Sequence, residues 1–114
     1  MPWSSDPAPG STGVLDTAVS TSALTAFGVY VRVYRSGGLY PSPHALQLLG
    51  GVFRATPGVS ELTVLSDEND VEITCRLDAG SATYAYLAVG LALEAGLAWL
   101  RGGVTLDAKI LEVP

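Results

Sequence analysis

From Ala79 to Leu100 the chain runs for 22 residues, AGSATYAYLAVGLALEAGLAWL, with one charged side chain, Glu94. Few folds accept such a segment. A helix of this composition has no polar face to give to water, so it crosses a membrane or is covered on more than one side. A crossing would bury Glu94 in lipid and places Tyr84 and Tyr86 at one end only. The remaining sequence also needs a cover for an oily sheet, so a soluble helix is expected.

At about 100° per residue, Tyr84, Ala85, Ala88, Val89, Leu91, Ala92, Ala95 and Trp99 form the denser side, expected to lie on the sheet. The other side carries Thr83, Tyr86, Leu87, Gly90, Leu93, Glu94 and Leu97. It is too apolar for a solvated face, and a contiguous patch of this kind marks an interface. Tyr86, Leu87, Gly90, Leu93, Glu94 and Leu97 are therefore the candidate interface residues, and a two-fold homodimer is the simplest arrangement that closes them.

The cover is needed because the rest of the chain alternates. In TAFGVYVRVYRS, Phe27, Val29, Val31 and Val33 point one way and Gly28, Tyr30, Arg32 and Tyr34 the other, which is a strand with one oily face. Ser42 and Pro43 supply an N-cap and first position for a helix over HALQLLGGVFR, with Ala45, Leu46, Leu48, Leu49, Val52 and Phe53 on its apolar side. TPG ends it. SELTVLS and VEITCRL form a hairpin across DEND, with Leu62, Val64, Val71, Ile73, Cys75 and Leu77 inward. RGG closes the oily helix, and VTLDAKILEV supplies a last strand with Val104, Leu106, Ala108 and Ile110 on one side.

The order β-α-β-β-α-β predicts a four-stranded antiparallel sheet with two helices on one face, the ferredoxin-like α/β plait, its first and third strands central. The turn TPGVSEL resembles the start of the second strand in small plait domains such as the amino-acid-sensing ACT group and the heavy-metal-associated group; the CxxC of the metal-carrying group is absent. Residues 1–21, rich in Pro, Ser and Gly and without the basic and apolar runs of a signal peptide, are expected to form a flexible tail before a single domain over 22–114.

Chemistry is sparse. The chain has one His and one Cys among its 114 residues. His44, on the polar side of the first helix, is the only candidate for acid-base work, a weak one without a carboxylate partner. Cys75 alternates with core residues and reads as a buried thiol. DEND lacks the spaced ligands and closing Glu of a calcium loop and reads as a turn; no metal site or cofactor is expected. Arg32 and Arg76 are expected to pair across strands with Glu72, Glu61 or Asp107.

The open sheet face, with Tyr30 and Tyr34, resembles in outline the RNA-recognition module, but its third strand carries Glu72 and Thr74 where that module has aromatics. With a net charge of −5, nucleic acid is not an expected partner. The expected role is a cytoplasmic, non-enzymatic protein-interaction or assembly domain, joined to a second copy or another protein through the oily helix or the open sheet. A partner-neutralising role in host defence is a variant of it. The alternative is a small-molecule-binding regulatory or enzymatic plait with Tyr30, Arg32, Tyr34, Tyr40 and His44 about its pocket.

Overall fold

The computed structural model describes residues 24–114, so the expected tail lies outside the described residues. The elements follow in the predicted order: β1 (Thr25–Tyr34), α1 (Pro43–Ala55), β2 (Val59–Ser66), β3 (Asp70–Ala79), α2 (Ala82–Gly96) and β4 (Thr105–Glu112). They form one four-stranded sheet in the order β2-β3-β1-β4, antiparallel throughout. This is the ferredoxin-like α/β plait, and β1 and β3 are its central strands.

Alternation places the core. Phe27, Val29, Val31 and Val33 of β1 and Val71, Ile73, Cys75 and Leu77 of β3 are all buried, facing Leu49 and Phe53 of α1 and Ala85, Val89, Ala92 and Leu93 of α2. Because the side-chain period of a strand is two, one inward Val fixes the facing of the whole strand. Phe53 and Leu49 are the largest fully enclosed side chains; truncating such a residue to Ala typically costs 2–5 kcal/mol.

Local chemistry sets the helix ends. The Ser42 hydroxyl accepts from the Ala45 N–H at 3.1 Å with Pro43 opening α1, and the Ser81 hydroxyl accepts from the Tyr84 N–H at 3.2 Å at the start of α2. Helix α2 stops at Gly96, earlier than RGG suggested. The indole N–H of Trp99 donates to the Gly96 carbonyl at 2.7 Å, occupying one of the acceptors left at the helix end. Gly96 also lets the helices touch: a Cβ there would lie 2.6 Å from Leu49 Cδ1 and 3.3 Å from Leu49 Cα.

The two outer strands differ in regularity. Strand β2 carries a bulge: pairing jumps between Ser60 and Thr63, so Glu61 and Leu62 together oppose Cys75, and Glu61 adopts φ 54°. Strand β4 pairs with β1 without interruption from Thr105 opposite Tyr34 to Glu112 opposite Phe27.

Candidate functional site

Three surfaces remain once the core is formed. The first is the outer side of α2 with the flank of β4. The facing of α2 differs from the periodicity-based expectation. Leu93, expected at the interface, is 8% exposed and belongs to the core, and Leu97 is half-buried against it. Tyr84 and Leu91, expected on the sheet, are exposed. Gly96 helps to set the rotation: it turns inward with Ala85, Val89, Ala92 and Leu93, and it alone of that side sits so close to Leu49 that a Cβ would collide. Among the remaining expected interface residues, Tyr86 is 54% and Leu87 55% exposed, and Gly90 and Glu94 are exposed beside them.

Helix α1 occupies one flank of α2, where Val52 and Ala55 face Ala88, Leu91 and Ala92 across an apolar groove. At about 100° per residue, Tyr86, Gly90 and Leu97 fall on the opposite flank, which looks along the sheet toward β4. There the cover runs out. Ile110 is the one buried residue of β4, while Leu106 is 46% exposed and Ala108 is also exposed. The helix-side face of β4, expected to be inward at Leu106 and Ala108, is thus half open.

The second surface is the uncovered sheet face. Arg32 lies under half-exposed solvent with its guanidinium 4.3 Å from the centre of the Tyr34 ring and its Nε 2.7 Å from Asp70. The expected partners Glu72 and Asp107 are its cross-strand neighbours by register, but the contact goes diagonally to Asp70. Arg76 bonds Asp78 on its own strand at 3.3 Å instead of crossing to another. Partial burial and then the nearby Glu72 carboxylate raise the Tyr30 phenol above its usual range.

The third is a cleft of about 400 Å³ lined by Arg35, Tyr40, His44, Trp99 and Arg101, at the end of the sheet where α1 begins. Two of the chain's six cations and its only histidine meet here, and no carboxylate lines it among the described residues. The Arg35 guanidinium donates to the carbonyls of Arg101 and Gly103, which fastens the segment leading into β4. Tyr40 holds φ 49°, a strained value for a residue with a side chain. Its N–H and that of Leu39 donate to the Glu68 carbonyl at 3.0 and 2.8 Å, tying this loop to the β2–β3 turn.

The expected tyrosine pocket is therefore divided. Tyr40 and His44 share the cleft, whereas Tyr30, Arg32 and Tyr34 lie on the open sheet face. Strand alternation dictates the split, because Tyr30 and Tyr34 point away from the helices whenever Val31 and Val33 point toward them. Sequence reading missed Arg35, Trp99 and Arg101, which follow elements distant in the chain and leave no local pattern.

The acidic corner is a turn. Asp67 Oδ1 accepts the N–H groups of Asn69 at 2.7 Å and Asp70 at 2.9 Å, which holds the Asp67 carboxyl below the usual carboxylate range, the Asp70 bond being the larger cause. Cys75 is buried, and burial pushes its thiol pKa up. Among the described residues, no three His, Cys, Asp or Glu side chains are grouped to hold a metal ion, and no helix is long and apolar enough to cross a membrane. No protein-family model, curated protein or solved structure matches the chain.

Proposed function

We propose that this chain is a non-enzymatic protein-interaction domain whose working unit is a two-fold homodimer, closed on the side where α2 and β4 meet. The carrying observation is the apolar surface left there: Tyr86 on the β4 side of α2, and Leu106 and Ala108 on the helix side of β4, all exposed. A second copy is the occupant that meets these residues with an equivalent surface at no cost in new sequence. The acidic net charge of −5 works against a nucleic-acid partner, and a lone buried thiol fits a reducing cytoplasm.

Sedimentation equilibrium on the full chain at micromolar concentrations tests the reading. A reversible dimer is expected, weakened about tenfold by Tyr86→Asp, since burying an uncompensated carboxylate costs more than the 1.4 kcal/mol that a factor of ten represents. A monomer that ignores this substitution would overturn it. Leu93→Glu is the wrong probe, because Leu93 is part of the core.

A second reading is favoured by the cleft alone: a small carboxylate or phosphate ligand held by Arg35, Arg101 and His44. Its volume of about 400 Å³ is within the usual range for ligand sites. Ligand-detected NMR against a set of small carboxylates and phosphates tests it; binding that survives Arg101→Ala would count against this site.

A further inference from the structure

We infer that the dimer forms by antiparallel pairing of β4 with β4 of a second copy in one register, its two-fold axis at Ala108. This rests on the homodimer reading and adds the surface and the alignment. Three observations converge on it.

The first is the direction of the backbone. Val113 N–H donates to the Ala26 carbonyl at 2.9 Å, which continues the register that sets Glu112 opposite Phe27. Residues facing each other in an antiparallel pair alternate between exchanging both hydrogen bonds and exchanging none. The odd-numbered residues of β4 therefore bond β1, and Leu106, Ala108 and Ile110 aim their N–H and C=O groups away from the sheet. With the axis at Ala108, Leu106 faces Ile110 of the second copy and Ala108 faces itself, so every one of these outward groups finds a partner.

The second is charge. Asp107 and Lys109 are the charged residues flanking Ala108, both exposed on the open face. An axis at Ala108 sets each Asp107 opposite a Lys109 of the other copy, twice. Moving the axis by one residue sets Asp107 against Asp107, or Lys109 against Lys109. Moving it by two leaves both charges opposite neutral residues. Opposite-charge cross-strand pairs stabilise and like-charge pairs repel, so one register is selected.

The third is the state of the strand itself. Strand β4 is uninterrupted along its whole length, whereas exposed edges in isolated domains are commonly shortened, bulged or covered. The other edge of this sheet has the bulge. Pairing at β4 also joins the two sheets side by side, bringing the Tyr86 flanks of both α2 helices onto the same face of an extended sheet.

Charge reversal on the full chain is the test. Lys109→Asp faces Tyr30 and no charged residue within its own chain, so its fold should hold, checked by circular dichroism. It should weaken the dimer about tenfold by turning two attractive pairs repulsive. Asp107→Lys, which sets a lysine opposite Arg32 of its own chain and whose fold is therefore checked by circular dichroism as well, should weaken the dimer similarly, and the double variant should return the affinity to within about threefold of the starting value. Ala108→Cys should give a disulfide-linked dimer on mild oxidation, because facing Cα atoms about 5.5 Å apart are within bridging reach and the buried Cys75 does not compete. A dimer indifferent to both single reversals and not cross-linked at position 108 overturns the register and leaves the homodimer reading standing. A monomer throughout overturns both.

Discussion

Strands β2 and β4 close the two sides of the same sheet, yet among the described residues only one of them is guarded. In β2 the bulge at Glu61 and Leu62 breaks the ladder with β3, bends the strand and leaves a carboxylate on a left-handed backbone. A second strand laid along it would find its hydrogen bonds out of step. In β4 the ladder is regular, its neighbouring charges alternate in sign, and its helix-side residues Leu106 and Ala108 are not fully covered. An irregular edge resists addition and a regular, self-complementary one accepts it. The contrast is the ground on which the proposed dimer is placed at β4.

Substitutions on each side can break the contrast. The largest effect is expected at Gly58, which leads into β2 at φ 89° with space for no side chain: a Cβ would lie 2.4 Å from the Asp78 carbonyl oxygen. Gly58→Ala should cost about 3 kcal/mol through backbone strain and steric overlap, read as a lowered urea midpoint, and should leave the affinity of the folded fraction unchanged. Next is Ala108→Pro. It removes an N–H that points out of the sheet, a position where an edge strand tolerates proline, so the fold should persist. The dimer should weaken at least about a hundredfold, because two facing carbonyls lose their donors, and sedimentation would show this. An unchanged affinity would mean that β4 is not the contact.

A smaller effect sharpens the β2 side. Glu61→Gly should stabilise the fold by about 1 kcal/mol, since glycine adopts φ 54° without strain, measured by urea unfolding and with no gain in association. The smallest is a pH effect at the turn joining β2 to β3. The folded-state pKa of Asp67 is lowered from 3.8, so its contribution is complete above that value and is lost as pH falls through the lower folded-state value. Asp67→Asn should reduce stability at pH 7 and flatten the acid limb of the pH-stability curve, whereas the association constant of the remaining folded protein should be the same as before.

The strands were legible in the sequence because a period of two leaves no choice of facing: Val29, Val31, Val71 and Ile73 commit their neighbours. Helix α2 was legible in extent and not in rotation. With apolar residues on every side, hydropathy gives no phase, and the deciding quantity is the room beside Leu49, which only the folded state reveals. Leu93 is buried and Leu91 exposed, two identical side chains that hydropathy could not tell apart. The bulge at Glu61 has no sequence signature, since a residue with a side chain is an uncommon occupant of the left-handed region. The Arg35, Trp99 and Arg101 cleft depends on two connections distant in sequence meeting at one end of the sheet.

Cys75 sits near the centre of β3, opposite Val29 of β1 and within the buried core. The protein thereby carries an internal clock. The Cys75 sulfur is largely covered in the closed sheet, so alkylation is expected to run mainly through openings of β3, and the raised thiol pKa slows the reaction of the closed chain further. The labelling half-life of the native chain thus follows the opening of β3, with no dye or tag added.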